Sequence, residues 1–207
     1  MIPHKAAASA TANVPPMSTR ALRTPHPPGD LAIWVFILAE LLAFGVFFVA
    51  YAFTRSHDVA LFDAMQPHLD RDAGALNTVL LITSSWCVAR AVAAIRVDAM
   101  RISARFLLGA LAGGTGFVVV KLFEYQAKFA LGINLTTNSF YMFYLSLTFF
   151  HFMHVLLGMV ILAAVWWKTR GGGYSAADHH GMETGASYWH MVDLVWIVLF
   201  PLVYVIR

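Results

Sequence analysis

Leu31-Ala-Ile-Trp-Val-Phe-Ile-Leu-Ala-Glu40-Leu-Leu-Ala-Phe-Gly-Val-Phe-Phe-Val-Ala-Tyr-Ala-Phe53 decides the fold of this chain. An apolar run of roughly 20 residues is long enough to cross a bilayer as an α-helix. A carboxylate near the middle of such a run is costly, and marks a position that faces a bundle interior or a functional site. Glu40 therefore has to find a partner on another helix.

Working outward, the 207 residues are 59% hydrophobic and 12% charged, against about 25% charge in an ordinary soluble domain. The apolar runs fill most of the length and leave no room for a soluble domain. The expected fold class is all-α, a polytopic membrane protein built as a bundle of five transmembrane helices. The formal charge of +3 comes from loop Lys and Arg. No basic stripe exists that would suit nucleic acid. Cys87 is the single cysteine, so an internal disulfide and CxxC chemistry are excluded. No short apolar segment with a cleavage site opens the chain, and no signal peptide is read there.

Residues 1–29 contain Pro3, Pro15, Pro16, Pro25, Pro27 and Pro28 among Ala, Ser and Thr. That composition reads as a flexible tail preceding a membrane domain over 30–207. Asp30 is placed to cap the first spanning helix, about 31–54. A polar loop over 55–73 carries Asp58, Asp63, Asp70 and Asp72. The second helix, about 75–96, has a small, polar face from Asn77-Thr78 to Ser84-Ser85, suited to packing in lipid, and Arg90 near its end can snorkel.

The third helix, about 103–129, holds Gly109 and Gly113 in GxxxG spacing, which lets a neighbouring helix approach closely. No strand precedes these glycines, which argues against phosphate binding. Lys121 and Glu124 stand three residues apart on one face and can neutralise one another. The fourth helix, about 139–167, carries His151, His154 and Gly158, and the fifth, about 184–206, carries His190 and Asp193. No repeat or broken helix of the kind found in transporters is present.

With five spans the termini lie on opposite sides. One side holds eight basic residues, Lys5, Arg20, Arg23, Arg96, Arg101, Arg105, Lys168 and Arg170; the other holds four, Arg55, Arg71, Lys128 and Arg207. The positive-inside rule places the N-terminus in the cytoplasm and the C-terminus in the periplasm of a bacterial inner membrane. At about 1.5 Å of rise per residue, Glu40 lies roughly 14 Å from the cytoplasmic end of its helix. Asp193 comes to a similar depth and His154 to roughly 20 Å. His154 is thus the first candidate partner of Glu40, with Asp193 or His190 second. Lys121 and Glu124 form a separate layer nearer the opposite end.

Each polar position has more than one reading. Glu40 either hydrogen-bonds within the bundle or handles protons; unpaired exposure to lipid would cost several kcal/mol. His151 and His154 share a helix face, and could ligate haem or donate to neighbouring carboxylates and carbonyls. Three membrane histidines, His151, His154 and His190, are too few to hold two haems and a copper, so this chain alone is no respiratory catalytic subunit. His179, His180 and Glu183 form a wet loop–helix junction with some capacity for zinc. His190 and Asp193 are read as a hydrogen-bonded pair.

These motifs together resemble one family. The Leu31–Glu40 segment is similar to the first core helix of subunit III of haem–copper oxidases, membrane glutamate included. Leu76-Asn77-Thr78-Val79-Leu80-Leu81 and Lys121-x-x-Glu124-Tyr125 resemble its next two helices. Phe150-His151-Phe-Met-His154-Val-Leu-Leu-Gly158 and Glu183 with Tyr188-Trp189-His190-Met-Val-Asp193-Leu-Val-Trp196 resemble the last two. The resemblance covers about 31–206 in order.

The long form of that family has two further helices before the Glu40 helix, where this chain has its Pro-rich tail. The lipid-filled cleft of the long form is therefore not carried over. Five-helix members occur among quinol oxidase third subunits and the E-type accessory proteins of nitric oxide reductase. Glu at position 40 and the Asn138-x-Phe140-x-Met142-Phe143 segment lean toward the latter. The resemblance implies an accessory subunit without catalytic, cofactor-binding or metal-ligating residues of its own. It would pack on a haem- and copper-bearing catalytic subunit, hold phospholipid, and support proton uptake and sustained turnover. A small b-type cytochrome with histidine ligands is the alternative.

Overall fold

The structure is a computed structural model describing residues 31–206. The tail over 1–29 and the Asp30 cap lie outside these residues, as does Arg207. Five helices are long and apolar enough to span a membrane: α1 (Leu31–His57), α3 (Arg71–Ile95), α4 (Met100–Ala130), α5 (Ser139–Arg170) and α6 (His180–Phe200). No strand occurs among the described residues.

The helices start earlier or end later than their apolar runs, because caps and not the first apolar residue set their limits. Asp70 accepts from the Ala73 amide at 2.9 Å, so α3 begins at Arg71 instead of near 75. Asn138 does the same for α5 through Tyr141, also at 2.9 Å. Each bond satisfies one of the amides that a helix start leaves without an intrahelical partner. At its far end α5 runs on to Arg170 and stops at Gly171-Gly172, with Gly172 at a φ of 74°.

The segment expected to be a polar loop contains a short helix, α2 (Val59–Met65), capped by Asp58, and a tight turn over Gln66–His68. Buried Phe62 explains it, packing edge-on against Tyr51 of α1 and Phe140 of α5 at 5.4 and 5.5 Å. The segment covers one end of the bundle. Lys128 donates to the His68 carbonyl at 2.5 Å, and Gln66 to the carbonyls of Val203 and Ile206. Those carbonyls belong to or follow a widened turn, Pro201–Val205, that continues α6. Proline brings no amide to the ladder, and Gln66 helps satisfy the carbonyls of this irregular end.

α6 is the central helix, packed on α1, α3 and α5, while α4 closes the other side against α3 and α5. Glycines set the closest approaches. A Cβ at Gly113 would lie 2.9 Å from Ser84 Cβ and 3.0 Å from the Leu80 carbonyl oxygen, so α3 and α4 meet nearly backbone to backbone. Gly109 faces Cys87 in the same seam. Gly114 of α4 and Gly158 of α5 both receive the Trp189 indole of α6. Large side chains filling spaces left by small ones supply the dispersion contacts that hold helices together in lipid.

Candidate functional site

Glu40 reaches across from α1 to α5. Its Oε2 lies 3.0 Å from His154 Nε2, and the side chains are 20% and 10% exposed. His154 Nδ1 lies 2.8 Å from the Phe150 carbonyl oxygen, one turn back on α5. A carbonyl can only accept, so Nδ1 carries a proton. Nε2 and Oε2 therefore share one further proton: either a carboxylic acid donates to neutral imidazole, or imidazolium donates to carboxylate. Phe44 and Phe150 stand at 5.3 and 4.6 Å from the imidazole and line the pair with apolar surface. The arrangement places a carboxyl–imidazole contact at the rim of the bundle.

A second polar cluster lies nearer the capped end. Lys121 is fully buried, and its Nζ donates to Glu124 Oε2 at 2.9 Å and to the Tyr204 hydroxyl at 2.6 Å. Tyr144 and Tyr204 both donate to Glu124 Oε1, at 2.6 and 2.7 Å. The ammonium also stands 5.1 Å from the ring centres of Trp196 and Tyr204, close enough for cation–π attraction. The spacing of Lys121 and Glu124 showed the ion pair; Tyr144 and Tyr204 were missed. Tyr144, Thr148 and His151 recur at the spacing of one helix face, which was the available signal for Tyr144.

His151 does not join either cluster by hydrogen bonding. It is fully buried, and neither ring nitrogen has a hydrogen-bond partner among the described residues. Its ring lies 5.2 Å from Trp196, 5.6 Å from Phe117 and 6.4 Å from Phe44. The haem reading finds no support in this geometry, since His151 is enclosed by aromatic side chains and His154 is turned to Glu40.

The expected His190–Asp193 bond is absent. His190 Nδ1 instead pairs with Ser85 Oγ of α3 at 2.6 Å, and His190 is exposed on the surface of the bundle. Asp193 is 4% exposed, and its carboxyl lies beside the Ser85 hydroxyl, the group that meets His190. Nor does either residue bond to Glu40. Side chains three residues apart share a helix face and can meet, but the His190 imidazole is turned to Ser85 of α3 instead. Ser85, which supplies the real partner, was noted only as a small packing residue.

Glu183 sits at the other end of the bundle, where Arg96 meets its Oε1 at 2.8 Å and His179 Nε2 at 3.2 Å. His180 is exposed. Among the described residues no group of three or more His, Cys, Asp or Glu is placed to hold a metal ion.

Comparison with known proteins fits this architecture. The family described as cytochrome c oxidase subunit III matches residues 29–206. The chain is 34% identical to cytochrome c oxidase subunit 3 of Synechocystis sp., over 93% of this chain and 89% of that protein. It is 33% identical to the same subunit of Thermostichus vulcanus, over 85% and 86%. It is 31% identical to heme-copper oxidase subunit I+III of Aeropyrum pernix, over 84% of this chain and 22% of that longer protein. A match that begins before α1 and ends with the last described residue takes in all five spanning helices, and the chain belongs to the cytochrome c oxidase subunit III family.

Proposed function

We propose that this chain is the non-catalytic third subunit of a haem–copper oxidase in a bacterial plasma membrane, packed on the catalytic subunit. The observation that carries the reading is the family match along the whole five-helix bundle. The fused Aeropyrum relative, named for both subunits I and III, supports the choice of partner. Haem and copper belong to that partner in this reading. The basic-residue asymmetry supports a cytoplasmic N-terminus and a periplasmic C-terminus. Bound phospholipid fits the apolar outer faces. The nitric oxide reductase variant rests on Glu40 and the Asn138–Phe143 segment alone; oxidase is preferred because the relatives named above are oxidase subunits.

Within that role the Glu40–His154 pair is the proton-responsive element. The shared proton sits at the rim of the bundle, where it can exchange with a neighbouring protein surface without exposing the core. The Lys121 cluster, Glu183 and the buried Asp193 are its structural companions. Purification from native membranes under mild detergent tests the assignment: a large haem-bearing subunit should accompany the chain, and its identification separates oxidase from reductase. Glu40→Gln in the intact complex should alter the turnover lifetime and the pH profile of the rate. Wild-type values for initial rate, lifetime and pH profile would reduce Glu40 to a packing residue.

A further inference from the structure

His190 is an imidazole on the outer surface of the bundle near mid-membrane. It lies ten residues into α6, roughly 15 Å from the start of a span of about 39 Å. Ser85 comes to roughly 21 Å along α3 by the same arithmetic. Ser85 satisfies Nδ1, which leaves Nε2 on an exposed residue with no hydrogen bond among the described residues. The hydrocarbon around it offers none. A polar group so placed costs free energy until another protein group meets it.

The surroundings show where that group would come from. α1 and α3 both pack on α6, and no comparable packing joins them to one another, so α6 forms the floor of a groove between them. Leu194 and Ile197, at i+4 and i+7 from His190, continue the floor and are 50% and 47% exposed. On α3, Ser85 is flanked one turn away on either side by exposed Ile82 and Ala89. Beneath the floor lies the buried carboxyl of Asp193, beside the same Ser85 hydroxyl. The wall on the other side is equally unpartnered: 11% of the most apolar window of α1 is buried, against 56% for α6.

We infer that this groove receives one transmembrane helix of the catalytic subunit, which brings a hydrogen-bonding group to His190 Nε2. The inference rests on the accessory-subunit reading and adds the face through which docking occurs. Lipid can cover Leu194 and Ile197 but has no group at this depth for the imidazole. A helix of the subunit to which the Aeropyrum relative is fused supplies both apolar cover and the polar partner. Interhelical hydrogen bonds of this sort orient membrane helices more than they strengthen them.

The test is site-directed photocrosslinking in the intact complex, on a Cys87→Ser background. Cysteine is placed at Leu194 or Ile82 for the groove, and at Phe123 of α4 or Val160 of α5 for the opposite faces, which are 67% and 66% exposed. A benzophenone attached at the groove positions should yield adducts with the catalytic subunit, several-fold above those from Phe123 and Val160. His190→Leu should increase loss of the chain during detergent washing several-fold, and His190→Gln should restore part of the retention. Adducts confined to the α4 and α5 positions would overturn the inference. So would groove adducts with a second copy of this chain or with lipid alone. Where the wild-type chain accompanies a haem-bearing subunit and the groove yields nothing, the docking face is wrong and the accessory role stands. If no such subunit accompanies it, the role itself fails.

Discussion

Replacing Lys121 by methionine removes the only cation from the fully enclosed cluster beneath the capped end. The wild-type network is closely satisfied. Glu124 accepts from one ammonium and two phenols, while the ammonium gives two hydrogen bonds and faces aromatic rings with the rest of its charge. Methionine fills nearly the same volume, so the change is electrostatic. A buried ion pair broken on one side costs about 3–5 kcal/mol, because the remaining charge has lost its compensation. Removing every polar member together, as Lys121→Met, Glu124→Leu, Tyr144→Phe and Tyr204→Phe, leaves no orphaned group and should cost less than the single change. Unfolding in mixed micelles with increasing anionic detergent, followed by tryptophan fluorescence, gives both values. A loss below about 1 kcal/mol for Lys121→Met, or a larger loss for the fourfold variant, would refute the account.

Other substitutions test the packing. Gly158→Ala would set a Cβ 2.7 Å from the Trp189 ring; overpacking should cost about 1–3 kcal/mol in the same assay. Gly113→Ala meets the Leu80 carbonyl oxygen at 3.0 Å and should cost a similar amount, whereas Gly45→Ala, with nothing within 4 Å, should leave stability unchanged. Asp70→Ala deletes the cap of α3 and should cost about 1 kcal/mol, read from the same unfolding curves. Trp196→Phe keeps an aromatic ring but loses the 3.0 Å donation to Thr78, and should destabilise by about 1 kcal/mol or slightly more.

The five spans were legible because length and apolarity act locally along the chain, and the Gly109–Gly113 seam because helix spacing alone puts both glycines on one face. Depth arithmetic also brought Glu40 level with His154. It ranked His154 first and Asp193 or His190 second, but it carries no information on rotation about a helix axis, which is what turns His190 to Ser85 of α3. The same limit explains the mistaken His190–Asp193 pair: i, i+3 spacing permits a bond, while the position of Ser85 on a different helix decides it. α2 went unseen because its single buried aromatic, Phe62, has meaning only against Tyr51 and Phe140. Tyr204 was hidden for a like reason, since it joins Lys121 and Glu124 across 80 or more residues.

Three of the polar groups of the bundle differ in access. The Lys121 cluster is sealed and complete, so a proton gained or lost there would leave a donor or acceptor unmatched. That cost makes it a clamp joining α4, α5 and the turn after α6. Glu40 and His154 are only partly covered, and the His154 Nδ1 bond to the Phe150 carbonyl is kept whichever of the two carries the proton between them, which is the geometry the proposed responsive role requires. His190 is satisfied on one nitrogen and open on the other, the condition of a group awaiting a neighbour. Glu40 looks from α1 toward α5, whereas His190 meets Ser85 of α3 and, in the proposed docking, faces the groove between α3 and α1. A partner helix seated at His190 would therefore press on α1, the least buried span, whose other face carries Glu40. Movement of α1 by a fraction of an ångström would change the 3.0 Å separation of Glu40 and His154, and with it the balance of the shared proton.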